Sequence, residues 1–258
     1  MTQTERRAFL LNYLLKENRL YEDVPFPSTP QMQIQLLRGL MNVRPAGASA
    51  PEFLDVQNAY LQEVIREKGI VTLDDLNELQ PGLYLWRGDI TRLRVGAIVN
   101  AANSGMTGCY RPNHACIDNC IHTYAGIQLR QKCAEIMEAQ GYEEPTGQAK
   151  ITPAYNLPCD YVLHTVGPIV QGRLTLEHEK LLSSCYSSCL KLADKNSVES
   201  IAFCCISTGV FMFPNDRAAE IAVETVKRYK AETGSNIKVI FNVFKEQDEE
   251  IYRRLLRG

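Results

Sequence analysis

The sequence has no apolar run near the ~20 residues that a membrane helix needs, so a membrane-spanning role is not expected. It lacks a charge excess of either sign: 28 Lys and Arg stand against 30 Asp and Glu, a formal net charge of −2 in 258 residues. That balance argues against a protein that holds bulk nucleic acid by its phosphates. No internal repeat and no low-complexity segment is present. The short apolar stretch after Arg7 is interrupted by Asn12 and followed by Lys16 and Glu17, with no small-residue cleavage site. No signal peptide is therefore expected, and the cytoplasm is the expected compartment. Only four histidines are available, which leaves few general bases.

Cysteine, by contrast, is plentiful and odd in number, at nine. A reducing compartment makes disulfides the wrong expectation. Most free cysteines are small buried apolar residues, and this is expected of Cys185, Cys189, Cys204 and Cys205. Cys109 and Cys116 differ, because with His114 they form C-x4-H-x-C. Thiolate and imidazole are preferred zinc ligands, and three protein ligands with an open fourth position is the pattern of catalytic zinc. By spacing alone two readings stand: a metal site, or a surface loop with two incidental thiols. Cys120, one helical turn beyond Cys116, is assigned to packing.

The chain divides into a helical extension over 1–75 and a body over 76–258. In the extension, Phe9, Tyr13 and Leu14 follow helical spacing. Val24–Pro30 breaks that helix, and Thr29 and Pro30 suit the cap and first turn of a second. A third runs from about Pro51, with Gly69 as its stop. In the body, strands are expected at 83–86, 97–99, 149–152, 161–165, 201–206 and 237–243. Helices are expected at 114–140 with a break at Gly126, 175–194, 215–231 and 246–257. This alternation predicts an α/β fold with helices on both faces of the sheet. Ligands in such folds bind beyond the strand C-terminal ends. There lie Arg87-Gly-Asp-Ile90, Asn100-Ala-Ala-Asn103 and Ser207-Thr-Gly-Val-Phe-Met-Phe-Pro214. Glycines and small polar residues suit a backbone-lined, phosphate-cradling site.

Gly88-Asp-Ile-Thr91, Ala97-Ile-Val-Asn-Ala-Ala-Asn103, Thr146-Gly-Gln-Ala149, Tyr161-Val-Leu-His-Thr-Val-Gly-Pro168 and Ser207 to Pro214 occur in the order found in macrodomains. Over residues 80–258 the chain resembles that family, and most of all its MacroD-type branch, which hydrolyses ADP-ribose off modified proteins. The usual glycine run is replaced here by Gly108-Cys-Tyr-Arg-Pro-Asn-His-Ala-Cys116. That departure resembles the zinc-containing macrodomains of some bacteria and fungi, which carry a similar helical extension. They are often linked to sirtuin-type ADP-ribosyltransferases as their reversal partners.

The resemblance implies a three-layer α/β/α fold with a mixed, mostly parallel sheet. It implies Zn2+ on Cys109, His114 and Cys116, and a mono-ADP-ribosylated protein as substrate, the bond cut being glycosidic or ester. It assigns adenine to Asp89 and the Ile90 backbone, and the distal ribose to Asn103. The diphosphate falls to Ser207, Thr208, Gly209 and Val210, with Phe211 covering the ribose. Asn103 and Asp118 become the catalytic pair, Asp118 positioning or activating water. The plainer alternatives are a turn-forming Asp89 and an Asp118 that only favours a helix dipole. Asn100 is expected to tie down its own loop, and Asn242 and Phe244 are weaker candidates for the adenine edge and face. His122 and His164 are expected to be satisfied structural residues, and His178 solvated. Two other functions stay open: a non-catalytic ADP-ribose reader with structural zinc, and a hydrolase of a small ADP-ribose derivative.

Overall fold

Three capped helices come first. A computed structural model describes residues 1–21 and 23–257; Glu22 of the extension and Gly258 of the body lie outside the described residues. Helix α1 (Gln3–Glu17) starts at a reciprocal capping box between Thr2 and Glu5. Helix α2 (Pro30–Val43) starts as expected, with the Thr29 hydroxyl accepting from Met32 N and Pro30 in the first turn. Helix α3 (Pro51–Lys68) stops at Gly69, whose φ of +80° suits a residue without Cβ. The three helices share a core of Leu10, Leu11, Leu37, Phe53 and Leu61, against which Ile127 of the body packs. Ile65, near the end of α3, is already part of the main core.

The remaining elements, in chain order, are β1 (Val71–Thr72), β2 (Glu78–Gln80), β3 (Leu83–Arg87), β4 (Leu93–Arg94), β5 (Ala97–Ala102), α4 (Ile117–Ala125), α5 (Ile127–Gln140), β6 (Ala149–Pro153), β7 (Tyr161–Val166), α6 (Leu176–Lys195), β8 (Ser200–Phe203), α7 (Asn215–Thr233), β9 (Lys238–Val243) and α8 (Glu246–Leu256). Seven strands form one sheet in the order β2-β3-β9-β8-β5-β7-β6. The five inner strands are parallel, and the edges β2 and β6 run antiparallel. Helices cover both faces, the mixed three-layer architecture expected. The short β1, β2 and β4 were not foreseen. β1 pairs with β4 outside the main sheet, too briefly for two-residue periodicity to show.

Two strand ends differ from expectation by three residues each, and both differences bear on function. β5 runs on to Ala102, so Asn100 is a buried strand residue paired opposite His164 of β7, not a loop residue. β8 stops at Phe203, and Ser207 turns the chain away with φ +66°. The apolar run 201–206 continues only because residues 204 and 206 stay buried beneath that turn. Because β3, β5, β8 and β9 are parallel, their C-terminal ends open on one side of the sheet. There the segments after Arg87, Ala102, Phe203 and Val243 meet. No helix among the described residues is long and apolar enough to cross a membrane.

Candidate functional site

The cleft at these strand ends has two poles. At the first, Cys116 caps α4 and its sulfur accepts from Asn119 N at 3.4 Å. This puts Asp118 in the first helical turn, 5% exposed. Three side chains converge on it. Asn100 donates to Oδ1 at 2.8 Å, Asn103 reaches Oδ2 at 3.4 Å, and His122 Nε2 lies 3.6 Å from Oδ1, too far for a hydrogen bond. Burial pushes the Asp118 carboxyl up to about 6, against the opposing pull of Asn100 and Arg130. Burial, then the neighbouring His164 and Arg130, holds His122 well below the ordinary histidine range, so it is neutral.

His122 is not the satisfied structural residue expected, for neither ring nitrogen has a hydrogen-bond partner. Its helical i, i+4 relation to Asp118 was the sequence signal for this contact. His164 does fit its expectation: Nδ1 meets Asn100 Nδ2 at 3.2 Å and Nε2 meets Thr152 Oγ1 at 3.0 Å. Asn100 points at Asp118 rather than tying down a loop. The loop is tied instead by Asn103, which donates to Gly108 O at 3.2 Å and accepts from Gly105 N at 3.0 Å. Gly108, at φ +86°, lies against the His122 ring, and a Cβ there would sit 2.8 Å from it. His178 lies at the surface, where it closes the capping box of α6, its Nδ1 accepting from Thr175 N at 3.2 Å.

Cys109, His114 and Cys116 are brought together at this pole. Cys109 Sγ lies 3.5 Å from His114 Nδ1, and all three ligand atoms fall within 4.8 Å of one another. All three are partly exposed. Burial, helped by the nearby Cys109 and Asp118, pushes the Cys116 thiol up to about 12. A divalent cation among the three would reverse that balance, because thiolate is the ligating form. Donor chemistry and spacing both fit zinc. Of the cysteines assigned to packing, Cys133, Cys159, Cys185, Cys189 and Cys204 are buried, while Cys120 and Cys205 are partly exposed. The former lies 3.5 Å from Arg38 Nη2.

The second pole carries the base and diphosphate candidates. Asp89 caps a short 3-10 turn, its Oδ1 accepting from Thr91 N at 3.0 Å and Thr91 Oγ1 at 2.6 Å. Its Oδ2 accepts from Lys68 Nζ of α3. Burial works to raise this carboxyl, but the hydrogen bonds from Lys68 and Thr91 outweigh it and hold it below the usual range. Ile90 is anchored in the core, so only its backbone can serve a ligand. Asn242 is committed to structure, donating to Trp86 O at 3.3 Å and Gly88 O at 3.0 Å, while Phe244 is exposed.

Ser207 and Met212 hold the left-handed conformations of the loop, at φ +66° and +53°; Gly209 does not. A Cβ on Gly209 would meet open space, so the protein itself does not require that glycine. The Ser207 hydroxyl is buried without a partner, and Gly167 packs so closely that a Cβ there would come within 2.1 Å of it. Thr208 is half-buried, and Gly209, Val210 and Met212 are exposed beside Phe211.

Residues 99–222 match the macro domain family. The chain is 60% identical over 260 residues to a protein-ADP-ribose hydrolase of Treponema medium, covering 99% of this chain and 100% of that one. It is 49% identical over 254 residues to a protein-ADP-ribose hydrolase of Staphylococcus aureus strain MRSA252, covering 96% and 94% respectively. Its fold is similar to the Trypanosoma brucei macrodomain solved in complex with ADP-ribose, with TM-score 0.66 and 28% identity over 90% of this chain and 97% of that one. The full-length relationship, the seven-stranded mixed sheet and the loops converging at its parallel strand ends lead to one assignment: the chain belongs to the macro domain family.

Proposed function

We propose that this chain is a zinc-dependent hydrolase that removes mono-ADP-ribose from modified protein side chains. The observation that carries the reading is the convergence of Asn100, Asn103 and His122 on a buried Asp118 beside the Cys109, His114 and Cys116 cluster. The names of its full-length relatives support the protein-ADP-ribose hydrolase part of that reading. The resemblance to zinc-containing macrodomains extends the reading to the reversal of a sirtuin-type ADP-ribosyltransferase.

In this reading Asp89 and the Ile90 backbone take the adenine edge. Backbone N–H groups over Ser207 to Val210 meet the diphosphate, and Phe211 covers the ribose. Asn103 orients the distal ribose, its amide already held by the Gly108 carbonyl. Asp118, fixed by Asn100, positions the attacking water and takes its proton on a carboxylate oxygen as the water oxygen bonds to C1″ and the bond from C1″ to the protein side-chain oxygen breaks, the proton then passing to that leaving oxygen. Cys109, His114 and Cys116 would hold the zinc, which would supply Lewis-acid positive charge at the distal ribose.

The test is metal analysis of the purified protein, followed by turnover of ADP-ribosylated protein with and without chelator. About one zinc per chain is expected, lost in Cys109→Ala, with hydrolysis abolished on chelation and ADP-ribose binding retained. A metal-free native protein with full activity would sink the zinc role. Binding without turnover by the zinc-loaded chain would favour a reader. Parallel assays on small ADP-ribose derivatives set the substrate class.

A further inference from the structure

Both poles of the cleft are reached by side chains from the extension. At the base pole, α3 ends on Lys68, whose ammonium pairs with Asp89 Oδ2 and lies 3.3 Å from Thr91 Oγ1. It also sits 3.8 Å from the centroid of the Tyr124 ring, a cation–π contact that fixes its direction. The end of α3 is itself pinned to the base loop, since Arg92 Nε donates to Gly69 O at 2.6 Å and β1 pairs with β4. With Thr91 on one carboxylate oxygen and Lys68 on the other, the Asp89 side chain has one orientation.

At the metal pole, α2 presents Arg38. Its Nη2 donates to His114 O at 2.9 Å and to Asn119 Oδ1 at 2.9 Å. Asn119 passes the constraint on. Its side-chain amide donates to Arg111 O at 2.9 Å and Cys109 O at 3.4 Å, and its backbone N–H to Cys116 Sγ. One turn along α2, Asn42 Oδ1 accepts from Asn113 N at 2.9 Å, which braces Asn113 in its left-handed conformation at φ +54°. All three cluster residues are thus tied, directly or through Asn119, to a helix more than 65 residues earlier in the chain.

We propose that the N-terminal extension is a working part of the site: Lys68 positions the base-reading carboxylate Asp89, and Arg38 with Asn42 positions the metal loop. The proposal rests on the readings of Asp89 and of the Cys109, His114 and Cys116 cluster given above. Neither Lys68 nor Arg38 reacts. Each narrows the geometry of a group that binds, so their removal weakens binding at one pole and leaves the other as it was.

The experiment is a crossed pair of titrations on the full chain. ADP-ribose affinity is measured by calorimetry for wild type, Lys68→Met, Lys68→Arg and Asp89→Ala. Zinc affinity is measured by competition with a chromophoric chelator for wild type, Arg38→Met, Asn42→Ala and Cys109→Ala. Lys68→Met is expected to weaken ADP-ribose about fivefold, with Lys68→Arg restoring most of it and zinc affinity unchanged. Arg38→Met is expected to weaken zinc by roughly 10- to 100-fold, with ADP-ribose affinity unchanged. Asn42→Ala should give a smaller loss of the same kind, and it carries the test if Arg38→Met does not fold. If Asp89→Ala leaves ADP-ribose affinity intact, or Cys109→Ala leaves zinc affinity intact, the underlying reading falls and takes the corresponding half of the proposal with it. If both controls lose binding while the extension variants keep it, or lose both affinities together, the positioning role is overturned and the site readings stand.

Discussion

The two poles of the cleft are built in opposite ways. Around Asp118 the side chains are buried and cross-braced, from β5, β7, α4 and the extension. Around Ser207 to Met212 the loop is exposed; both poles hold non-glycine residues at positive φ, and both leave buried polar atoms without a partner, the His122 ring nitrogens at one and the Ser207 hydroxyl at the other. A group that must hold a reacting atom gains from a framework fixed before the ligand arrives. A loop that offers backbone N–H groups to a diphosphate needs room around its peptides. Its strain is tolerable because neighbouring packing imposes the turn. Gly167 shows how: its missing Cβ is what lets the segment after β7 approach Ser207.

The largest expected effect tests the braced pole. Asp118→Ala should lower kcat by roughly 10²–10⁴, about 3–5 kcal/mol of transition-state stabilisation. ADP-ribose affinity should change little; turnover and calorimetry on the same preparation check this. Loss of binding instead of turnover would break the division between the poles.

The next effect falls on the other pole. Gly167→Ala forces a Cβ against Ser207 Oγ and Ile206. It should cost about 1–3 kcal/mol of stability and weaken ADP-ribose, read by denaturant midpoint and calorimetry.

A pH effect should show at the braced pole, where burial holds His164 and His122 low. Burial lowers His164 to about 3. The unfolded imidazole takes up a proton near pH 6.5, while the folded one stays neutral until far lower. At this site the unfolded state therefore binds more protons across that window, so its contribution to stability falls as pH drops from about 6.5, while Asp118, raised to about 6, opposes it between about pH 6 and 4. The slope reaches about 1.4 kcal/mol per pH unit for one site. His164→Gln should flatten the curve of stability against pH between 6.5 and 4. An unchanged slope would assign the acid sensitivity elsewhere.

The smallest effect is a gain. Met212→Gly removes the left-handed penalty of about 1–2 kcal/mol but adds most of it back as unfolded-chain entropy. A net stabilisation of about 0.5 kcal/mol is expected, seen as a small rise in melting temperature.

Legibility in the sequence followed the range of the interactions. Caps such as Thr29 with Pro30, the break at Gly126 and the stop at Gly69 were readable because they depend on neighbours a few residues away. So was the Cys109, His114 and Cys116 cluster, which one short loop assembles. Strand ends were not. Asn100 looks like a loop residue after Ala97-Ile-Val99 until β7 pairs alongside it. His122 looked like an ordinary buried histidine until its ring proved unpartnered beside Asp118.

By itself, then, the sequence determined the order of elements, the phosphate-type loop and the metal-type loop, because hydrophobic period, turn chemistry and ligand spacing are local properties. Only the tertiary structure decided that Asn100 faces Asp118, that Lys68 meets Asp89, and that Arg38 holds the His114 carbonyl. The Asn100 and Arg38 contacts join residues 18 to 76 positions apart. No local preference encodes such contacts; they arise when sheet register and helix packing bring distant side chains within bonding distance.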